Sequence, residues 1–178
     1  MGVRTGLGRW AWVVPLMGTL VMVAVPLIRH TQKTRAEAAA ATFVGQVQIA
    51  QRAFRVAHGD DGYASSLASL NTPCPGRTDG HLTPSAVTAL IDAGYAATLR
   101  PAAGVVAGSP DCHGRPLSSD YYVAVAPRSI DAAGQQAFAA VAAGPICVFF
   151  DGIAPVEADM ADGGLATRLD ALDAFTIP

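Results

Sequence analysis

WAWVVPLMGTLVMVAVPLI, residues Trp10 to Ile28, runs for nineteen positions without a charged side chain. At a rise of ~1.5 Å per residue, a helix of this length matches the ~30 Å hydrocarbon core of a bilayer. A buried core helix needs only about 12 apolar residues. Trp10 and Trp12 also stand at one end of the run, where interfacial aromatics belong. A cleaved signal peptide has a shorter apolar region with a small-residue site close behind it. Here Arg29, His30, Lys33 and Arg35 separate the run from the small-x-small triplet Ala36-Glu37-Ala38. The stretch predicts a retained single-span anchor at 10–28, with an ectodomain beyond it.

Basic residues flank the run on both sides, Arg4 and Arg9 before it and Arg29, Lys33 and Arg35 after it. Counting them by the positive-inside rule slightly favours a cytoplasmic C-terminal side. The rest of the chain argues the opposite way, because an apolar-rich domain with two cysteines in loops suits an oxidising exterior. The expected arrangement is a cytoplasmic 1–9, a single pass through the cell inner membrane, and an ectodomain on the periplasmic or extracellular side.

Helical periodicity continues past the apolar run. Ala36, Ala40, Phe43, Val47, Ala50, Phe54 and Ala57 step by four and three, a stripe that covers one face of a helix. Gln46, Gln48, Gln51, Arg52 and Arg55 are expected on the other faces. Residues 29–58 therefore form a helical stalk, with Phe43, Val47 and Phe54 as its packing residues against the domain that follows. Gly59 would cap its end. About 120 residues remain at 59–178, enough for one small domain with one core.

Within that domain, Asp60-Asp61-Gly62-Tyr63 reads as a turn. It lacks the glutamate an EF-hand loop needs six residues beyond its glycine, where Ala68 stands. Ser65/Ser66 to Leu70 reads as a helical turn, and 71–81 as a loop. Thr83-Pro84 opens a second helix, over about 84–93, with threonine as N-cap, proline in the first turn and Gly94 as its stop. Tyr95–Leu99 and the alternating YYVAVA of Tyr121–Ala126 read as strands, and Gly104–Ala107 as a weaker one. Residues 127–144 read as a long loop, or in part a short alanine-rich helix. Ile146–Phe150 and Ile153–Glu157 flank Asp151-Gly152, the signal for a type I′ hairpin, with Pro155 placing the second strand at an edge. Leu165–Leu172 has the spacing of a short surface helix. The expected fold class is α+β, a long N-terminal helix carrying a small antiparallel sheet of four strands or fewer.

This outline resembles type IV pilins and the pseudopilins of type II secretion. Gly18 and the segment Val23-Ala24-Val25-Pro26-Leu27 are similar to the family's membrane segment, in which the glycine and proline soften the helix. Gly62-Tyr63-Ala64-Ser65-Ser66-Leu67-Ala68-Ser69-Leu70 resembles the G-x-Y-P-x-S-L-x-x-L stretch that follows the stalk. Leu90-Ile91-Asp92, Tyr122–Pro127 and Phe149–Ile153 fall where the family places comparable pieces, so the likeness spans roughly 10–157. The pattern departs at its start. Counting back from Gly18 and Pro26, Arg4 stands where prepilin peptidase would cut after glycine, and Arg9 where the family has a glutamate. That glutamate neutralises a neighbouring subunit's terminal amine in an apolar filament core, and Arg9 would oppose it. The resemblance implies a minor-pseudopilin-like or uncleaved structural subunit of a secretion or pilus assembly, with the bilayer and other such subunits as partners. It also places Glu157, Asp159 and Asp162 where major pseudopilins hold a calcium loop, although a solvated acidic loop is the safer reading of them.

The other chemistry on offer is sparse. The three cysteines are Cys74, Cys112 and Cys147. Cys74 and Cys112 lie in the Pro/Gly-rich segments PCPGR and SPDCHGR and are expected to bridge, whereas Cys147, in an apolar run, is expected to be a buried free thiol. Zinc pairs of the C-x2-C type are missing from the sequence. Asp111-Cys112-His113 suggests a thiolate beside an imidazole, but neighbouring side chains on a loop rarely face each other. His30, His58, His81 and His113 are scattered, and no Ser/His/Asp or paired-carboxylate set is legible, so no catalytic residue and no cofactor is assigned. With a formal net charge of −2 and no basic stripe on the domain, nucleic-acid binding is disfavoured. The competing reading from another class is a membrane-tethered ectodomain that binds a ligand through the Cys74–Cys112 loops.

Overall fold

The computed structural model describes residues 13–58, 62–76, 80–102 and 107–161. In order these form α1 (Val13–Ala57), β1 (Tyr63–Ala64), α2 (Leu67–Asn71), α3 (Pro84–Asp92), β2 (Tyr95–Pro101), β3 (Ala107–Pro110), β4 (Pro116–Ser118), β5 (Tyr121–Pro127), α4 (Ile130–Ala133), β6 (Ala137–Val141), β7 (Cys147–Phe149) and α5 (Ala158–Ala161). The class is α+β: one long N-terminal helix and two small antiparallel sheets, ordered β1-β4-β3 and β2-β5-β6-β7.

The helix α1 is continuous over 45 residues. Its backbone takes in Gly18 and Pro26, and the proline removes one i→i−4 hydrogen bond. Side chains at 13–28, and all of 1–12, lie outside the described residues, and with them most of what the predicted span rests on. Among the described residues no helix is long and apolar enough to cross a membrane. The expected Gly59 cap, the Leu165–Leu172 helix, Asp60 and Asp61 also lie outside the described residues.

From Ala40 onward α1 is half of a core. Ala40, Phe43, Val47, Ala50 and Phe54 are buried, as the stripe predicts, and Val44 and Gln51 join them. Opposite them the four-stranded sheet presents alternate residues: Tyr95 and Leu99 of β2, Tyr121, Val123 and Val125 of β5, and Phe138 and Ala140 of β6. The registers Val123↔Ala140, Val125↔Phe138 and Leu99↔Val123 keep these positions on one face, as the two-residue period of a strand requires. Burial pushes the Tyr95 phenol up to about 12, the charge of Glu37 adding to it, and its hydroxyl donates to Gln136 O at 3.2 Å.

Gln51 corrects the expectation that it faces solvent. It is fully buried, its Nε2 donates to Ala64 O at 2.9 Å, and its Oε1 accepts from Ala64 N at 2.8 Å. The side-chain amide thus pairs with β1 as a neighbouring strand would, and joins α1 to the smaller sheet. Gln51→Leu removes both bonds and leaves a buried N–H and C=O without partners. The expected cost is about 2–4 kcal/mol, read as a lower denaturation midpoint of the full chain. Gln51→Glu is expected to be no better, because a carboxylate cannot donate to Ala64 O.

Residues 127–144 include a short helix, as one of the two expectations had it, but also a strand that neither foresaw. They hold the short α4 and then β6, which pairs with β5 on one side and β7 on the other. The hairpin expected across Asp151-Gly152 is also corrected. Gly152 takes a positive φ of 69°, so the chain does turn there, but residues 153–157 form no strand. The second sheet face explains the difference. Tyr122, Ala124, Ala137, Ala139, Cys147 and Phe149 form an apolar patch there, and Met160 packs against it. The Tyr122 hydroxyl donates to Pro155 O, so the segment after Gly152 crosses that face instead of returning along β7.

Elsewhere, Ser66 caps α2 by accepting from Ser69 N at 3.2 Å. Thr83 occupies the N-cap of α3 with Pro84 just inside, but its side chain makes no capping bond. Gly94, with φ 81°, ends that helix as expected.

Candidate functional site

Polar and sulfur-bearing groups gather where the end of α1 meets two loops. The helix closes with His58 N donating to Phe54 O and Arg55 O, each at 3.1 Å. After α2, the 72–82 segment carries Cys74 and returns to the core through Leu82, whose N–H donates to Leu70 O at 3.1 Å. Cys112 sits at the tip of the β3–β4 connection. Asp111 organises that tip: its Oδ1 accepts from His113 N at 2.9 Å and Arg115 N at 2.8 Å, and its own N–H donates to Arg115 O at 2.6 Å. An aspartate that accepts from the backbone two and four residues ahead is a turn-forming device, which explains why the DCHGR segment can present its cysteine outward.

The expected bridge joins these loops. Cys74 and Cys112 form a disulfide with Cα atoms 5.7 Å apart, within the usual range for such bonds. Two polar contacts run alongside it. His113 Nε2 lies 3.1 Å from Pro73 O, and since a carbonyl only accepts, that nitrogen carries the hydrogen. Arg115 donates to Ser69 Oγ at 3.3 Å.

The imidazole whose nitrogen approaches a sulfur of the bridge is not that of His113, the sequence neighbour of Cys112, but that of His58 at the end of α1. Its Nε2 is 3.8 Å from Cys74 Sγ, and its Nδ1 is 2.9 Å from Phe54 O. Nδ1 must donate to that carbonyl, so in the neutral ring the Nε2 lone pair faces the sulfur. The ring stacks on Phe54 with centroids 4.0 Å apart at 24°, while His81 meets the same phenyl edge-on at 5.5 Å and 75°. Two of the four scattered histidines therefore converge on one aromatic ring. Their sequence signal was weak: His58 is four residues after Phe54, one helical turn, but nothing marks its relation to Cys74, sixteen residues on. His58 Nε2, Cys74 Sγ and Cys112 Sγ lie within 4.8 Å of one another. With the bridge closed, the two sulfurs are bonded to each other and not available as thiolates.

The other singled-out residues are placed differently. Phe43, Val47 and Phe54 are core residues of α1. Glu157 is half-buried at the start of α5, while the side chain of Asp159 and all of Asp162 lie outside the described residues, so the calcium set is not brought together in what is described. Cys147 is buried and free. Burial pushes its thiol pKa up, and its sulfur donates to Pro145 O at 3.6 Å, an inert setting. A shallow groove of about 390 Å³ between α1 and α3 is lined by Ala39, Thr42, Phe43, Gln46, Ala86 and Ala89 among others, with no titratable side chain.

Comparison with protein-family models, with curated proteins and with solved structures finds no significant match.

Proposed function

We propose that this chain is a membrane-anchored, pilin-like structural subunit of a secretion or pilus assembly, with no catalytic role of its own. The observation that carries the reading is α1. One uninterrupted helix runs from the apolar segment through to Ala57, and its last turns are half of the ectodomain core. A tether needs only a flexible linker, whereas a helix shared by anchor and core transmits its orientation rigidly from one to the other. The disulfide supports an ectodomain in an oxidising compartment.

On the outward face of α1, Ile49 and Val56 are 68% and 73% exposed and lie seven residues apart, so they share one side of the helix. In an assembly that packs helix beside helix, these are the contact positions. The test is photo-crosslinking from each position in the full chain, expressed in its own cell or a close stand-in, together with the intact mass of the extracted protein. Adducts with other membrane subunits at both positions, from a chain that retains residues 10–28, are the expected result. A chain that begins after Ala38, or one that gives no adduct at either position, would remove the reading.

A further inference from the structure

We propose that opening the Cys74–Cys112 bridge converts this corner into a metal site, in which Cys74 Sγ, Cys112 Sγ and His58 Nε2 bind a cation of the Zn²⁺ class. The proposal is independent of the assembly reading above. It rests on the juxtaposition of two sulfurs and one oriented imidazole nitrogen within 4.8 Å.

Three features suit these groups to a metal. The first is donor type: two thiolates and an imidazole are a set that zinc takes, with water filling the fourth position of open sites. The second is orientation. Metal-bound histidines characteristically donate their other ring nitrogen to a carbonyl or carboxylate, which fixes the tautomer. His58 already does so through Nδ1 and Phe54 O at 2.9 Å, and its ring is held flat against Phe54. The third is spacing. Zn–S bonds of ~2.3 Å and Zn–N bonds of ~2.0 Å at tetrahedral angles place sulfur and nitrogen ~3.5 Å apart and the two sulfurs ~3.8 Å apart. His58 Nε2 and Cys74 Sγ are already 3.8 Å apart. The sulfurs must separate, which rotation about their Cα–Cβ bonds supplies while the Cα atoms stay 5.7 Å apart. Cys112 is exposed, so the open side of the site faces solvent.

The chemistry balances with a thiol as reductant. Two RSH molecules give two electrons and two protons to the bridge, yielding RSSR and two cysteine thiols. A divalent cation then displaces both thiol protons, and the bound thiolates can no longer be reoxidised to the bridge without releasing the metal. Redox state thus selects between a covalent and a metal staple across the same two loops.

The test uses the full chain in detergent, reduced with a dithiol, desalted under anaerobic conditions and titrated with Co²⁺ as the probe. The reduced chain is expected to develop thiolate-to-Co²⁺ charge-transfer bands and the d–d bands of a tetrahedral site, saturating at one equivalent and bleached by Zn²⁺. The oxidised chain is expected to develop neither. His58→Phe keeps a ring against Phe54 but removes a ligand outright, and is expected to weaken binding by more than the about tenfold to a hundredfold that loss of a ligand's outer-shell partner costs. Cys147→Ala is expected to bind like the parent. The proposal is overturned if the reduced chain keeps its far-UV circular dichroism and shows no bands, if His58→Phe binds unchanged, or if Cys147→Ala abolishes binding. It is overturned equally if reduction unfolds the domain and Co²⁺ fails to restore it.

Discussion

Replacing Cys74 and Cys112 together by alanine is expected to lower the stability of the folded domain by about 4 kcal/mol. The bridge closes a loop with a sequence separation of 38, and the chain-entropy account of a closed loop of that size gives this magnitude. The loss falls on a part of the fold with few other attachments. Among the described residues β3 pairs with β4 alone, Leu117 of β4 lies in the core, and β1 joins β4 to α1. Against the loss stand the contacts that remain, His113 to Pro73 O and Arg115 to Ser69, both partly solvated and each contributing on the order of 1 kcal/mol. They do not offset the entropy. All four tyrosines, Tyr63, Tyr95, Tyr121 and Tyr122, lie beyond α1, so the tyrosine bands of the near-UV circular dichroism report this domain during denaturation, while Trp10 and Trp12 account for the longer-wavelength bands. An unchanged midpoint would mean that the polar contacts alone hold the hairpin tip against the 72–82 segment.

The sequence revealed elements where residue type and period agreed, and misled where they disagreed. The α1 stripe was legible because small and aromatic apolar residues recur every three or four positions, and those positions are the buried ones. Gln51 lies four residues after Val47 and three before Phe54, so its spacing placed it on the same face. Its polarity argued for solvent, and tertiary pairing with Ala64 decided the matter. YYVAVA announced β5 through its β-branched and aromatic residues. β6, Ala-Phe-Ala-Ala-Val, did not, since alanine favours helix over strand. It is a strand because small side chains let the sheet lie close beneath α1 on one face and beneath the 150–160 segment on the other. Asp151-Gly152 marks a turn but not a hairpin. A turn fixes where the chain changes direction, but an uncovered apolar sheet face decides where it goes next.

The same distinction applies at the candidate site. Cysteines in Pro/Gly-rich loops pointed to the bridge from composition alone. The imidazole beside it did not announce itself, because its place depends on how the end of α1 meets the 72–82 segment, a long-range contact with no local signature. Asp111 was visible in the sequence only as a neighbour of Cys112. In the structure it is the residue that shapes the loop, accepting two backbone N–H groups.

Phe54→Ala is expected to be among the more damaging single substitutions in the core, at about 3–5 kcal/mol. Phe54 is 1% exposed, and its ring is the platform for His58 on its face and His81 at its edge. Alanine is the better helix former, but the gain of roughly 0.5 kcal/mol near the end of a helix does not offset the cavity. Phe54→Leu keeps most of the volume and is expected to cost less than about 1.5 kcal/mol in packing, the range for shape-tolerant apolar exchanges. The comparison separates lost volume from lost stacking. The more informative experiment combines Phe54→Ala with the loss of the bridge. If Phe54 positions His58 and the 72–82 segment against the helix end, its removal loosens the loop that the disulfide holds, and the two losses are not independent. A coupling of about 0.5–3 kcal/mol between them is then expected, since residues that share partners depart from additivity by such amounts. Strict additivity would mean that the phenyl supports only the sheet-facing core and that the cystine corner is held by its own loops. In that case His58 would owe its orientation to the Phe54 carbonyl, which Phe54→Ala leaves in place, and not to the ring.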